Sequence, residues 1–330
     1  LQFLLPLSLI GNTNTGKSTK FVSYQSIKKS MDEIIKMDHI YQYNDRVGNE
    51  TLHPLVSVVD FSKCKAIRHS RQMMGFYTIF LKEVKCGDIH YGRQYYDYQE
   101  GTMVFLAPGQ VVGFVDNGKP FQPKGWGLLF HPDFLRGTSL GRNIKNYNFF
   151  SYESNEALHL SEQERGVIIE CFHNIQTELQ RGIDKHSQKI IIANIELLLN
   201  YCMRFYDRQF ITRSNVNKDI LIRFEDLLHN YFLSDKPQDI GLPSVQYCAE
   251  NLNLSPNYFG DLIKKETGKS PQEHIQLKLI ETAKEKVFDT SKSISEIAYE
   301  LGFKYPQHFT RLFKKCVGYS PNEYRQNSIN

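Results

Sequence analysis

The chain has 330 residues, of which 41% are hydrophobic and 23% are charged, and its formal net charge is +4. This length predicts two or three domains with ample core, and the composition is that of ordinary soluble globular proteins, which excludes a disordered or fibrous chain. Six scattered cysteines without a C-x-x-C pair argue against a zinc site and against a disulfide framework. Reduced thiols in the cytoplasm are therefore expected.

The N-terminal stretch contains a phosphate-binding pattern outside its usual context. Residues 11–18 (GNTNTGKS) match the P-loop pattern G-x-x-x-x-G-K-[ST]. A P-loop needs a large parallel α/β sheet, whereas the residues after Tyr43 carry antiparallel β signals, so a fortuitous match is favoured. The apolar run 1–10 is too short to span a bilayer and lacks the cationic start of a signal peptide. We expect residues 1–35 to be a poorly ordered extension, with Met31 as an alternative start.

Residues 36–132 are predicted to form a small antiparallel barrel or sandwich. Six runs rich in β-branched and aromatic residues are separated by Gly, Pro, Asp and Asn turn signals at short spacing. These runs are residues 55–61, 76–84, 89–98, 102–106, 111–115 and 125–130. Residues 100–110 (EGTMVFLAPGQ) resemble the turn-strand-turn of a cupin-like sensor domain, which makes a cupin-like barrel the expected fold.

The predicted barrel lacks the histidine pattern of a metal-dependent cupin. Such a site needs a His-x-His pair, a carboxylate and a further histidine. The histidines of this region do not form such a pair, and Val111 and Val112 stand where the resemblance places a ligand histidine. We therefore expect no metal, no cofactor and no catalytic residues.

A tyrosine-rich run offers candidate ligand-binding residues in the barrel. Pockets favour aromatic walls with a few polar groups. The candidates on this basis are Tyr77, Tyr91, Arg93, Tyr95 and Trp126. Alternatively, the rings alternate between core and surface as in any strand. The sequence leaves both interpretations open.

Residues 133–212 are predicted to be helical. A capping box at Ser161 and an apolar stripe predict a first helix, which ends before Gly182. A second helix, residues 187–206, is apolar most of the way round, which is typical of a helix with two partners. It can form a dimer interface or be fully buried within the sensor domain. A short polar linker, residues 211–217, is expected to follow.

The C-terminal region, residues 218–327, contains a sequence that occurs twice. Residues 256–275 (PNYFGDLIKKETGKSPQEHI) and 306–325 (PQHFTRLFKKCVGYSPNEYR) align at a spacing of 50 positions. A repeat of this length indicates one supersecondary unit used twice. Each copy follows a short helix-like run that ends in a turn, so two helix-turn-helix units are predicted, at about 244–267 and 293–317.

The second unit is predicted to have one apolar and one cationic face. Helical spacing turns one set of residues inward, namely Phe309, Leu312, Phe313 and Cys316. The opposite face carries Gln307, Thr310, Arg311 and Lys314, and Lys304 precedes it. These side chains read base edges and hold phosphates in a major groove. Residues 303–318 contain four Lys or Arg and no acid, although residues 218–330 balance 15 basic against 15 acidic residues.

The first unit has a different outward face, consisting of Asn257, Gly260, Asp261 and Lys264. Asp261 would repel phosphates; it can accept from cytosine N4 or pair locally with Lys264 or Lys265. We expect local pairing, and we therefore expect the second unit to supply most sequence-specific binding.

The segment from about Ile220 to Arg325 resembles the DNA-binding domain of the AraC/XylS family of bacterial transcription regulators. Its most specific pieces are residues 293–298 (SISEIA), 302–303 (GF), 309–314 (FTRLFK) and 318–325 (GYSPNEYR). Between the units, a helix from Pro271 to about Phe288 would be about 27 Å long. It could hold the two recognition helices near one duplex turn apart, about 34 Å, so that both enter successive major grooves.

The resemblance implies a cytoplasmic, sequence-specific DNA-binding transcription regulator that is not an enzyme. Its fold class would be α+β multidomain, with an N-terminal cupin-like antiparallel β-barrel and helices, and an all-α double helix-turn-helix domain. Double-stranded DNA and a second copy of the chain are the expected partners, a small-molecule effector and RNA polymerase are further candidates, and no membrane is involved. A P-loop hydrolase would explain only eight residues, and a helical adaptor would not explain the acid-free face.

Overall fold

The computed structural model describes residues 34–68, 70–83, 89–90, 101–114, 120–153, 156–212 and 214–327. Over these residues the fold is α+β, with β-sheets in the N-terminal part and helices in the C-terminal part. The P-loop-like residues 11–18 and the candidate ligand residues Tyr91, Arg93 and Tyr95 lie outside the described residues.

The strands of the described residues form two sheets. They are β1 (Ile34–Met37), β2 (Val56–Asp60), β3 (Arg71–Met74), β4 (Tyr77–Lys82), β5 (Ile89–His90), β6 (Thr102–Leu106), β7 (Val111–Phe114), β8 (Gly125–Phe130) and β9 (Leu158–His159). The four-stranded sheet has the order β1-β3-β7-β5 and the five-stranded sheet the order β2-β8-β4-β6-β9. β1 and β3 are parallel, and the other described pairs are antiparallel. The described strands do not close into a barrel, so the barrel stays a prediction.

The five-stranded sheet is buried on both faces. Successive residues of a strand point to opposite faces, and in β2 Val58 packs towards the helices while Val59 packs towards the four-stranded sheet. All five residues of β6 are buried for the same reason. The core therefore has two layers, one between the sheets and one between a sheet and the helices.

The first elements of the described chain differ from expectation. β1 begins at Ile34, within the stretch 1–35 that was expected to be poorly ordered, and it pairs with β3. Helix α1 (Ile40–Val47) follows. Its buried residues Ile40, Tyr43, Asn44 and Val47 have helical spacing, a signal that could have predicted the helix.

The remaining α-helices of the described chain lie after β8. They are α2 (Ser139–Asn143), α3 (Glu162–Gln180), α4 (Ser187–Thr212), α5 (Ser214–Leu233), α6 (Lys236–Ile240), α7 (Val245–Asn251), α8 (Pro256–Thr267), α9 (Pro271–Val287), α10 (Ile294–Glu300), α11 (Pro306–Val317) and α12 (Pro321–Asn327). Helices α7 and α8 form the first helix-turn-helix unit, and α10 and α11 form the second. Helix α9 connects them.

The prediction of a polar linker at residues 211–217 is wrong. Helix α4 continues to Thr212 and α5 begins at Ser214. Asn217 is buried, and its side-chain amide donates to the carbonyl of Phe210 (2.7 Å) and to Oε1 of Glu266 (2.9 Å). Asn217 thus makes internal hydrogen bonds, which a residue of a solvated linker would not.

A capping box precedes α10, and a glycine with left-handed backbone follows its end. The Ser293 N–H donates to the Glu296 carboxylate (2.7 Å), and the Glu296 N–H donates to the Ser293 hydroxyl (3.2 Å), which completes the capping box. Gly302 has a φ of +90° in the turn that leads to α11.

Gly302→Ala is expected to lower the free energy of unfolding by about 2–4 kcal/mol. An added Cβ would lie 2.8 Å from the Pro237 carbonyl oxygen and 2.9 Å from the Gly241 carbonyl carbon, so backbone would have to move. Gly318→Ala is the matched control, because its φ is also +90° and no described atom lies within 4 Å of the added Cβ. It should cost only about 1–2 kcal/mol, the left-handed backbone penalty. Equal losses for the two variants in urea unfolding would contradict this explanation.

Candidate nucleic-acid interface

Helix α11 presents the predicted polar residues on one open face. Phe309 and Phe313 are fully buried and anchor the opposite face to the domain core. Four predicted residues are exposed, namely Lys304, Gln307, Arg311 and Lys314. Thr310 is half-buried, and its hydroxyl donates to the Pro306 carbonyl (3.2 Å). The structure therefore brings the second-unit candidates together on the surface.

The exposed face of α11 keeps its cationic character in the structure. Lys314 lies 4.0 Å from Glu323, but both side chains are more than half exposed, so this ion pair is weak. The Ser320 N–H and hydroxyl bind Glu323 and are the main reason that its pKa is lowered. The Lys304 ammonium lies 5.7 Å from the Tyr305 ring centroid. These cations are accessible to an anionic partner.

The inward stripe predicted for α11 is wrong at one position. Leu312 is half-buried as its spacing indicates, but Cys316 is exposed. Cys316 lies in the last turn of the helix, at the edge of an open groove along α9. The spacing of Cys316 matches the inward stripe, but the elements that neighbour α11 do not cover the last turn of this helix.

Residues at the start of α8 in the first unit are buried, whereas their equivalents at α11 are exposed. Ser255 and Tyr258 are 3% and 5% exposed, whereas Tyr305, which follows Ser255 by 50 positions in the repeat, is 47% exposed. His308 and Arg311, the equivalents of Tyr258 and Asp261, are also exposed. The repeat thus places the same three positions in two different environments.

Asp261 binds residues of the N-terminal part rather than its own helix. The Tyr152 hydroxyl donates to Asp261 Oδ2 (2.5 Å), and the Asn148 amide donates to both carboxylate oxygens (3.1 and 3.2 Å). The prediction of local pairing with Lys264 or Lys265 is therefore wrong. Lys265 pairs instead with Asp207 of α4 (2.6 Å). Side chains distant in sequence supply better-placed donors than the lysines one turn away.

A buried carboxyl group contacts the N-terminus of α8. Glu156 is 2% exposed; its Oε1 accepts from the Ser255 N–H (2.6 Å) and its Oε2 from the Ser255 hydroxyl (2.5 Å). The Glu153 N–H also donates to Oε2 (2.7 Å). Burial raises the pKa of Glu156 to about 7, against the lowering effect of these hydrogen bonds. Sequence reasoning missed this residue because it lies 99 positions from Ser255.

The two helix-turn-helix units belong to different hydrophobic clusters. The first unit shares a continuous cluster with the five-stranded sheet and with α3 and α4. Within it the Tyr258 ring lies 5.2 Å from Tyr152 and 5.1 Å from Phe210, centroid to centroid. The second unit packs in a separate cluster with α9 and the end of α5. Among the described residues, this apolar packing joins the first unit, and not the second, to the N-terminal part.

The described candidate ligand residues pack against aromatic neighbours. The Tyr77 ring stacks on Phe130 (5.2 Å), and the Trp126 ring stacks on Phe172 (6.1 Å). A separate cavity of about 70 Å³ lies between the sheets, and Met74, Phe80 and Val112 line part of it. This volume holds water rather than a drug-sized molecule.

The described residues contain neither a metal-binding cluster nor a membrane-spanning helix. In that part of the chain, no group of three or more His, Cys, Asp or Glu residues is placed to hold a metal ion. No described helix combines the length and apolar character needed to cross a membrane.

Comparison with known proteins places the similarity chiefly in the C-terminal half. The family described as a helix-turn-helix domain matches residues 248–327. The C-terminal domain of AraT, a response regulator from Geobacillus stearothermophilus, is 31% identical and covers 33% of this chain and 84% of its own, with a TM-score of 0.29. ToxT from Vibrio cholerae is 14% identical over 82% of this chain and 97% of its own, with a TM-score of 0.26.

Curated relatives differ in how much of their length this chain spans. It spans 13%, 34% and 25% of the regulators YtdP, YobQ and YesN of Bacillus subtilis (strain 168). The transposon Tn10 TetD protein of Escherichia coli is 32% identical over 44% of this chain and 94% of its own. The lactose operon transcription activator of Staphylococcus xylosus is 30% identical over 77% of this chain and 88% of its own. Since this similarity extends over both helix-turn-helix units and most of a whole relative, the chain belongs to the AraC family of helix-turn-helix transcription regulators.

Proposed function

We propose that the chain regulates transcription by binding specific sites on double-stranded DNA, with α11 as its main base-reading helix. The observation that carries this proposal is the exposed, acid-free face of α11 on a buried aromatic anchor. A helix of this kind fits a major groove when its partner helix packs across it, as α10 does.

The side chains of this face suit distinct roles. Arg311 can bind guanine O6 and N7 with two hydrogen bonds, and Gln307 can bind adenine N6 and N7 in the same way. Thr310 can contact a thymine methyl, while Lys304 and Lys314 suit phosphates. In the first unit, Asn257 and Lys264 are exposed and Gly260 is half-buried, so this helix offers fewer groups to the bases.

Arg311→Ala is expected to weaken specific DNA binding by about 1–3 kcal/mol and to relax base preference at one position. Arg223→Ala on α5 is the matched control, since it removes the same charge from another exposed arginine. Asp261→Ala should weaken specific DNA binding only slightly, or should tighten non-specific binding, because it removes a negative charge that repels phosphates. Fluorescence anisotropy at fixed salt, with a DNA site that the protein has selected from a random pool, measures the DNA affinity of all three variants. A larger loss for Asp261→Ala than for Arg311→Ala would refute the assignment.

The proposal includes a homodimer that forms through α4. Ile190 and Leu197 lie about two turns apart on one side of this helix and are 43% and 46% exposed. Other apolar residues of α4 are buried in the N-terminal core, so the helix has a second apolar side. Sedimentation of the full chain and of its Leu197→Glu variant tests this. A wild-type monomer at micromolar concentration would contradict the dimer.

The N-terminal sheets are proposed to form a cupin-like sensor that responds to a small effector in the cytoplasm. Support comes from the two facing sheets, which share one buried apolar layer. Tyr77, Tyr91, Arg93, Tyr95 and Trp126 remain the proposed effector contacts. RNA polymerase is a candidate partner of the DNA-bound protein, and no catalytic step is part of the proposal.

A further inference from the structure

We propose that the N-terminal part of the chain withholds α8 from DNA, with the Glu156 carboxyl group occupying the position at its N-terminus that a DNA phosphate would take. This inference rests on the proposed function, because it assumes that α8 and α11 both can enter major grooves. It adds a defined intramolecular competitor for one of the two helices.

The contacts of Glu156 are those that a helix N-terminus makes with a phosphate. Backbone N–H groups and a serine hydroxyl at a helix start bind anionic oxygens, and recognition helices use them to hold the DNA backbone. In this structure the N–H and the hydroxyl of Ser255, the residue before α8, both donate to Glu156. A DNA phosphate cannot bind the same two donors while the carboxyl group does.

The packing around Ser255 excludes a duplex as well as a single phosphate. Ser255 and Tyr258 are almost completely covered, and the Tyr258 ring is held between Tyr152 and Phe210. The equivalent residues of the second unit, Tyr305 and His308, are exposed. Since the two units repeat one sequence pattern, their different exposure arises from what the N-terminal part covers.

The outer face of α8 is engaged at two further points. Asp261 accepts hydrogen bonds from Tyr152 and Asn148, and Lys265 pairs with Asp207. Three side chains of the N-terminal part, Tyr152, Glu156 and Asp207, therefore bind three successive parts of one helix. Release of α8 requires all of these contacts to break together.

Two DNA-binding states follow from this arrangement. In the docked state only the second unit is free, so the protein reads one major groove. In the released state both units bind successive grooves about 10 base pairs apart. DNA and the N-terminal part compete for α8, so weakening the N-terminal contacts should strengthen DNA binding.

The test is selection of binding sites from a random duplex DNA pool by the full-length protein and three variants. Glu156→Ala removes the acceptor of the Ser255 donors, and Tyr152→Phe removes a donor to Asp261 while keeping the ring. Glu196→Gln on α4 is the control, since its carboxyl group binds Ser139 within the N-terminal part. None of these changes lies in α8 or α11, so a gain in affinity cannot come from a new DNA contact.

The wild type and Glu196→Gln should enrich a motif confined to one major groove. Glu156→Ala should enrich two half-sites about one helical turn apart and bind them about tenfold more tightly than the wild type does, in line with the loss of two hydrogen bonds to Ser255. Tyr152→Phe should shift the motif in the same direction by a smaller factor. If Glu156→Ala shows no cooperative thermal unfolding, it is not folded, and the inference is then tested with Tyr152→Phe.

Three outcomes would overturn the inference. A wild type that already selects two half-sites, with no change in the folded variants, shows that α8 is not withheld. Folded variants that bind DNA more weakly show that the N-terminal contacts support DNA binding. A failure of every protein to enrich a motif removes the proposed function itself, and the inference with it.

Discussion

Replacing Phe309 with alanine is expected to lower the free energy of unfolding by about 3–5 kcal/mol and to abolish DNA binding by α11. The Phe309 ring is 0% exposed, and its centroid lies 5.4 Å from that of Phe303 and 5.6 Å from that of Phe313. Removing it leaves a cavity in the small core that fixes the angle between α10 and α11. Urea unfolding and DNA anisotropy measure the two effects.

The control for this substitution is Cys316→Ala on the same helix. Cys316 is exposed, so its replacement should change the unfolding free energy by less than about 0.5 kcal/mol. The two variants together separate burial from helix propensity, because both place alanine in α11. Comparable losses at both positions would contradict the core that the structure assigns to this unit.

Raising the pH from 5 to 8 is expected to lower the free energy of unfolding by up to about 3 kcal/mol through Glu156. Burial raises its folded-state pKa to about 7 from an ordinary value of 4.5. Between these values the folded chain binds more protons than the unfolded chain, so stability falls as pH rises. The stabilisation from protonated Glu156 is fully present below about pH 4.5 and is lost above about pH 7.

The geometry around Glu156 explains why both of its charge states can dock. The neutral acid can donate to the Ser255 hydroxyl, while the carboxylate accepts from it. Its charged neighbour Glu153, whose own pKa burial raises, adds repulsion when both are ionised. Two further titratable groups lie nearby. The Tyr206 hydroxyl of α4 donates to the Glu156 backbone carbonyl, and the Asp261 carboxylate of α8 accepts from the Tyr152 hydroxyl.

Unfolding in urea at several pH values, with Glu156→Gln as the non-titrating reference, checks this dependence. The free energy of the wild type should fall relative to the variant between pH 5 and pH 7. Parallel curves for the two proteins would show that Glu156 keeps an ordinary pKa in the folded chain.

Local patterns in the sequence predict much of the fold. Strands 102–106 and 125–130 match the observed β6 and β8 at both ends, because turn residues bound each apolar run. The start of α10 at Ser293 and the turn at Gly302 follow from capping and backbone conformation within a few residues. β1 and α1 were not predicted, since a four-residue strand that pairs with distant β3 has little local signal.

The candidate site also has one part that the sequence predicts and one part that it does not. The face of α11 follows from helical spacing alone, so Gln307 and Arg311 could be placed on the surface from sequence. The environment of α8 depends on residues distant in the sequence, such as Tyr152, which lies 109 positions from Asp261. No spacing rule relates these residues, so their contact required the structure. The repeat predicted two helices of the same kind with different outward faces, but only the structure shows that the N-terminal part covers α8.

The central claim, that α11 reads DNA through its exposed face, is tested most directly by photo-cross-linking from position 307. Full-length protein with p-benzoylphenylalanine in place of Gln307 is bound to the selected DNA site and irradiated. The same substitution at Tyr41, an aromatic residue that is 50% exposed on α1, is the control. We predict cross-links from position 307 to bases within the selected motif and none from position 41. Equal cross-linking from both positions, or none from position 307 to bound DNA, would contradict the account.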